Sequence, residues 1–305
     1  MRLFPNRLFF LLSLLLLVQC NERLPNASDE LPSSDRIDLA PFGLDNTLEI
    51  ASWNIEQFPK HSRTVEDVRE IILDLDVDIF AIQEITNVDS FQALVNSLPE
   101  YEGRVGVNAS NFSLWPGIIY KTSLVTILGE TYLFTNDSYT FPRAPYALRL
   151  KVQKNNREFD FTLIILHLKA SGDEESENRR RNAIQALENY VTDKLTTPGE
   201  DPDFVLAGDW NDVLDDPPSD NVFQPFLQKP QYYVFLTAPF LGNPDEYTFI
   251  GGSFRSLIDH LMITTAIDTT YPSKTTQILK IDQDFGGYLN EVSDHRPVAT
   301  RIPVF

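Results

Sequence analysis

The pattern that most constrains this chain is a short, strand-like apolar run that stops on a polar side chain. Leu48 to Trp53 stops at Asn54, IFAIQ stops at Glu84, and TLIIL stops at His167. VLAG stops at Asp209, with Trp210 and Asn211 next, SLI stops at Asp259, and Asp294-His295 precede the last apolar run. A strand that is apolar along its length is buried on both faces, so it needs cover on both. Polar residues at the ends of such strands can converge on one site, because the scaffold fixes their backbones. Each has a plain structural reading by itself: Asn54 a turn cap, Glu84 a solvated strand end, His167 a satisfied core histidine, Asp209-Trp210-Asn211 a turn. Only as a set do they point to a site, since three of the four histidines (His167, His260 and His295) fall inside these segments.

Amphipathic helices lie between the runs. Thr64 can cap a helix whose Val65, Val68, Ile72 and Leu75 recur at helical spacing, and Phe91, Leu94, Val95 and Leu98 mark a second. A third is expected over residues 178–195, burying Ala183, Ile184, Leu187 and Val191 and exposing Arg179, Arg180 and Arg181. Strands are expected over residues 48–53, 77–82, 117–120, 125–129, 131–134, 146–152, 159–166, 204–207, 257–263 and 297–302. The turn Lys154-Asn155-Asn156-Arg157 joins two of them as a hairpin. Many strands with interspersed helices fit a layered α/β or α+β domain. Neither common Gly-rich phosphate loop is present.

Ahead of this domain, Arg2 and Arg7 precede the apolar run LFFLLSLLLLV, a positive segment followed by a core of signal-peptide length. Cys20, the only cysteine of the chain, follows at once. Leu17-Val18-Gln19-Cys20 looks like a bacterial lipobox, with Gln19 in place of the usual small residue. Ordinary signal cleavage and an uncleaved anchor are the alternatives. The expected organisation is therefore a signal segment over 1–20, a flexible Pro/Ser/Asn/Asp-rich tether over 21–45, and a catalytic domain over 46–305. The protein would be exported, as a cell-envelope lipoprotein held to the membrane through Cys20 or as a secreted form. With a single cysteine no disulfide can form within the chain, so stability must come from the core.

The chemistry of the set narrows the function. Carboxylate and amide oxygens favour a hard cation, Mg²⁺ or else Mn²⁺ or Ca²⁺, and no Cys/His cluster has zinc spacing. The segments SWNIEQF, AIQEI, ILHLKA, LAGDWND, LIDHLMI and VSDHRPV stand in the order found in the endonuclease/exonuclease/phosphatase (deoxyribonuclease I-like) superfamily. The chain resembles that superfamily from Trp53 to Pro297. The resemblance implies a four-layer α/β sandwich, two packed, mostly antiparallel β-sheets flanked by helices. It also implies a metal-dependent phosphoric ester hydrolase. Glu84 would be the main metal ligand, with Asn54 beside it and Asp294 at a second site. Asp209 would orient or deprotonate the attacking water, Asn211 would contact phosphate or a second metal, and His167 would donate to a non-bridging oxygen. Asp259 would hold His295 for proton transfer. Arg143 would contact phosphate, its plain reading being a solvated loop arginine.

The substrate is less constrained. Net charge is −19, and without residues 1–19 it is −21, 23 basic against 44 acidic side chains. Such a field repels polyanions at long range, so a nucleic acid needs local cations. Lys169, Arg143, Arg149, Arg179, Arg180, Arg181, Arg255 and Arg296 lie in site-proximal segments and favour a nuclease, with nucleic acid as substrate. A sphingomyelinase-like or other phosphodiesterase or phosphatase is the alternative. For a lipid enzyme, the aromatic stretch 223–240 is the candidate for membrane contact, and its other reading is core. A catalytically dead surface-binding lipoprotein is disfavoured by the full motif set. Nothing in the sequence implies a protein partner.

Overall fold

A computed structural model describes residues 36–109 and 113–305. The expected signal segment, with Cys20, lies outside the described residues, as do residues 21–35 of the expected tether. The compact unit described spans Ile37–Phe305.

Its strands, in chain order, are β1 (Leu48–Phe58), β2 (Ile79–Ile85), β3 (Tyr101–Val105), β4 (Trp115–Lys121), β5 (Val125–Tyr132) and β6 (Tyr146–Lys154). They continue with β7 (Arg157–His167), β8 (Phe204–Asp209), β9 (Tyr233–Phe235), β10 (Asp259–Thr264), β11 (Thr275–Ile278) and β12 (Val298–Ile302). One six-stranded sheet has the order β11-β12-β1-β2-β4-β3 and the other β5-β6-β7-β8-β10-β9. Three longer helices, α1 (Thr64–Leu75), α2 (Val88–Asn96) and α3 (Glu174–Thr196), cover their outer faces. The four-layer α/β sandwich is thus observed.

Alternation along the strands builds the layers. Ile50, Ile79, Leu163, Ile165 and Val205 point between the sheets. Their neighbours Ala51 and Phe80 meet α1 and α2, and Ile164 and Leu206 meet Ala183, Ile184, Leu187 and Val191 of α3. Both faces are buried, which is why these strands read as continuous apolar runs.

Pairing is antiparallel except between β1 and β2 and between β7 and β8. Parallel neighbours need a crossover, and here the crossovers are α1 and α3. Each parallel pair therefore ends at the same rim, the first with Asn54 and Glu84, the second with His167 and Asp209, which are themselves in register.

Several boundaries differ from the sequence reading. Ile37, Leu39 and Phe42 are buried against the first sheet's outer core, so residues 37–42 pack on the domain and do not form part of a free tether. Three apolar side chains at irregular spacing leave no periodic signal. The strands expected over 125–129 and 131–134 are one strand, β5, with a register shift between Ile127 and Gly129. Thr64 is not the cap of α1. Arg63 holds that position, and Thr64 Oγ1 instead accepts from the His61 N–H at 2.8 Å and donates to Glu291 O at 2.7 Å. α3 begins at Glu174, before the expected Asn178, where Asp173 caps it by accepting from the Ser176 N–H at 2.9 Å. In the stretch 223–240, Phe223, Phe226, Tyr233 and Phe235 are buried, the phenylalanines around Trp210. Most of its rings are therefore core, with Tyr232 and Phe240 half-buried. No helix among the described residues is long and apolar enough to cross a membrane.

Candidate active site

At the common rim of the two parallel pairs the structure opens a cleft of about 1260 Å³ lined by Glu84, Arg143, His167, Asp209, Asn211 and His295, among others. Asp294 also lines it, whereas Asn54 and Asp259 stand behind as buried supports. All nine residues expected from the sequence to act are thus in one place.

The firmest contact is His295 Nδ1 donating to Asp259 Oδ2 at 2.8 Å, with both groups buried. β10 pairs antiparallel with β8 so that Asp259 faces Asp209 in register, which brings His295 Nε2 within 3.9 Å of Asp209 Oδ2. Burial opposes a charged His295, but the carboxylates of Asp259 and Asp209 outweigh it and push its pKa up to about 10. The imidazolium therefore persists at neutral pH, with a proton at Nε2 facing the cleft. Asp209 is pushed the other way for an acid. Burial and the charge of Asp259 raise it to about 7, against the pull of His295. A carboxylate with that pKa can both hold and release a proton near neutrality.

Asp209 is also the centre of the polar network. Its Oδ1 accepts from the Asn211 N–H at 2.9 Å, and its Oδ2 accepts from Asn54 Nδ2 at 3.1 Å. Asn211 adopts a left-handed backbone with φ +54°, which asparagine tolerates better than most residues. Glu84 does so at φ +69°, a strained conformation that turns its carboxylate toward Asn54 Nδ2 at 3.3 Å and the Gln57 N–H at 3.0 Å. Asn54 thus presents its amide nitrogen to both carboxylates, while its Oδ1 accepts from the Glu56 N–H at 3.0 Å. In this arrangement it bridges the acids and does not offer them a ligand oxygen. Gly208, just before Asp209, has no room for a side chain, because a Cβ there would lie 2.1 Å from Leu166 O.

His167 stands at the corner where Arg143 meets the acids. Its Nε2 accepts from the Arg143 guanidinium and lies 3.6 Å from Glu84 Oε1 and 3.7 Å from Asp209 Oδ2. Burial, Arg143 and His295 hold its pKa well below the usual range, so the ring is neutral and its cleft-facing nitrogen has no proton to donate. The donor at this corner is Arg143. Burial lowers the arginine's pKa too, but Asp209 and Glu84 oppose the shift.

Two residues escaped the sequence reading. Ser293 Oγ donates to Asn54 O at 2.6 Å and accepts from the His295 N–H at 2.9 Å. Tyr288 accepts from Trp53 Nε1 at 2.9 Å and donates to His295 O. Ser293 carried a signal in its place beside Asp294-His295. Tyr288 carried none.

Of the eight basic residues in site-proximal segments, Arg180 is tied to Asp212 at 2.6 Å and Arg181 to Glu177 at 2.6 Å. Arg296 is buried against Asp282 at 2.7 Å, and Arg149 and Arg255 line other grooves. Arg143, Lys169 and Arg179 remain as cleft cations without a carboxylate partner among the described residues.

The donor set fits a hard cation. Ligand atoms of Asp209, Asp259 and His295 lie within 4.8 Å of one another, and Asp259 Oδ1 is buried with no hydrogen-bond partner. Because Asp259 Oδ2 is taken by His295 and Asp259 does not line the cleft, the carboxylates of Glu84 and Asp294 are the better holders, with Asp209 beside them. Burial raises Asp294 to about 6, against the pull of His295. Acids held together at this cost are a site that a divalent cation would relieve.

Comparison with known proteins agrees with this geometry. A model of the Endonuclease/Exonuclease/phosphatase family matches residues 51–295. No curated protein matches the chain. Among solved structures, TDP2 of D. rerio complexed with a single-strand DNA product is similar at TM-score 0.62 and 17% identity, over 85% of this chain and 99% of that one. The mannosyl-6-phosphatase of Bacteroides thetaiotaomicron is similar at TM-score 0.56 and 16% identity, over 84% and 99%. The human Nocturnin catalytic domain with bound sulfate gives 0.58 and 14%, over 87% and 96%. These likenesses concern the fold. On the family match over most of its length, the chain belongs to the endonuclease/exonuclease/phosphatase family, whose members are hydrolases of phosphoesters and typically depend on a divalent metal.

Proposed function

We propose that the protein is an exported, divalent-metal-dependent phosphodiesterase whose substrate is a nucleic acid. The observation that carries this is the buried His295–Asp259 pair facing Asp209 in a cleft that also holds Glu84, Asp294 and Arg143. Asp209 takes a proton from the attacking water at Oδ2, and the Asn211 N–H fixes its orientation through Oδ1. His295 gives a proton from Nε2 to the phosphoryl group or the leaving oxygen, and Asp259 keeps the imidazolium in place. Arg143 and Lys169 supply positive charge where negative charge grows in the transition state. Glu84 and Asp294 would hold Mg²⁺, which polarises the phosphoryl oxygen when bound.

The three cleft cations without carboxylate partners support a polyanionic substrate, as does the single-strand DNA product seen with D. rerio TDP2. The net charge of −19 favours a second reading, a small phosphoester that feels the long-range field less. The apolar run after Arg7 supports export, and Cys20 supports a lipid anchor. Turnover should be measured on single-stranded DNA, bis-p-nitrophenyl phosphate, mannose 6-phosphate and sphingomyelin, with Mg²⁺ and then with EDTA. DNA and the diester should be cleaved, and EDTA should stop both. Cleavage of the monoester alone would favour the second reading, and no turnover of any phosphoester would overturn both. Fatty-acid labelling lost in Cys20→Ala tests the anchor.

A further inference from the structure

On the nuclease reading above, we infer that the cleft takes a single strand whose unpaired bases stack on two exposed rings, Phe254 and Tyr139. Phe254 is 66% exposed and Tyr139 55%, and they are the only exposed aromatic side chains among the described residues. Both line the cleft that holds the reactive groups. A soluble surface scatters single apolar residues anywhere, so two solvent-facing rings confined to one site call for a ligand that covers them.

The rings come from different loops and flank different halves of the site. Phe254 packs 6.4 Å from Phe249, whose ring stands 5.2 Å from that of His295. The turn that carries Phe254 is tied by Arg255, which donates to the carbonyls of Ile250 at 2.8 Å and Gly252 at 3.0 Å. Tyr139 belongs to the loop that leads to Arg143, the partner of His167. Arg179 holds it, with its guanidinium 4.8 Å from the ring centre and its Nε donating to Tyr139 O at 2.6 Å. Each ring thus has a neighbour in the cleft wall, Phe249 for one and Arg179 for the other.

Charge favours a single strand over a duplex. A duplex carries about one negative charge per 1.7 Å of axis and is held chiefly through many phosphate contacts. Arg143, Lys169 and Arg179 are too few for that against the surrounding acids. Base–ring stacking adds affinity that does not depend on charge and tolerates any sequence, because every base has a π face. A lipid-facing role would need rings free to enter a bilayer, whereas these two stand in a cleft beside Glu84, Asp209 and Asp294.

The test uses a single-stranded oligonucleotide containing 2-aminopurine, whose fluorescence is quenched when the base stacks. Binding is read in EDTA, and kcat/KM is then read with Mg²⁺ on that strand, its duplex, and a strand of equal length made of abasic sites. The wild type should quench the probe and prefer the base-bearing strand to both others. Phe254→Ala should lower the preference for bases over abasic sites about tenfold, Tyr139→Ala should lower it too, and Phe254→Trp should retain it. If the wild type cuts nucleic acid but treats base-bearing and abasic strands alike, the stacking inference is overturned while the nuclease reading stands. If only small phosphoesters are turned over, the nuclease reading fails first and the inference with it. Turnover of sphingomyelin in phosphatidylcholine vesicles that Phe254→Ala abolishes would also overturn the inference, in favour of a lipid interface.

Discussion

The two ends of the β1–β2 pair both bury acids, and they neutralise them differently. At the amino end, Glu49 and Asp78 are almost fully buried, and the Glu49 N–H donates to Asp78 Oδ2 at 3.1 Å. Thr47 and the Leu44 N–H donate to the Glu49 carboxylate, and Lys121 reaches Asp78 at 3.1 Å and Asp76 at 2.6 Å. Burial and the charge of Asp78 raise Glu49 to about 8, so it keeps its proton at neutral pH. At the carboxyl end, the acids face an imidazolium and the field of an arginine, and Asp259 Oδ1 is left without a hydrogen-bond partner. A proton and a lysine close the first cluster. The second stays open to a cleft, and its surplus charge is available to a cation and a substrate. Buried carboxylates alone therefore do not mark a site; the marks are an unsatisfied oxygen and an approach from solvent.

Three substitutions test that contrast. The largest effect is expected from His295→Asn, whose amide can still donate to Asp259 while the cleft-facing nitrogen is lost. The kcat should fall on the order of 10³-fold with the far-ultraviolet dichroism unchanged, and a loss under about tenfold would break the assignment. Lys121→Met at the other end should lower the unfolding free energy by about 2 kcal/mol in urea titration, since Asp78 loses a charged partner. It should leave kcat at its wild-type value, and a large loss of activity would mean that the two ends are coupled.

The smallest effect, read over a single pH unit, belongs to Glu49→Gln. Because the folded state holds the Glu49 proton more tightly than the unfolded chain does, this group's contribution is full below about pH 4.5 and declines as pH rises. It is gone above about pH 8. Relative to the glutamine variant, the wild type should lose about 1 kcal/mol of stability between about pH 6 and pH 7. An identical pH dependence for the two proteins would remove the proton from the account of this end.

The carboxyl-end cluster was largely legible in the sequence because its members sit where apolar strands stop. Asn54, Glu84, His167 and Asp209 needed only that pattern to be placed on one rim. What the pattern could not supply was orientation. Nothing local says that Asn54 turns its nitrogen to the acids or that Arg143 takes the open nitrogen of His167. The arginines after His167 look alike in sequence, yet Arg180 and Arg181 are spent on Asp212 and Glu177. The strands that went unread, β3, β9 and β11, have an edge strand's short or polar character: Glu102 and Arg104 interrupt one and Thr275-Thr276-Gln277 fill another. The amino-end cluster was invisible, since Glu49 and Asp78 read as ordinary acids flanking strands until Lys121 is seen to reach Asp78.

Gly208 gives the site a property that none of its reactive atoms has. Its missing side chain lets β8 lie flush against Leu166 of β7, and the next residues along the two strands are Asp209 and His167. A methyl group at that point would act as a wedge between the strands, spreading the two halves of the catalytic rim before it touched either of them. The width of the site is thus set by a residue with no chemistry of its own, and the gap across which Asp209 and His167 face each other has a built-in gauge.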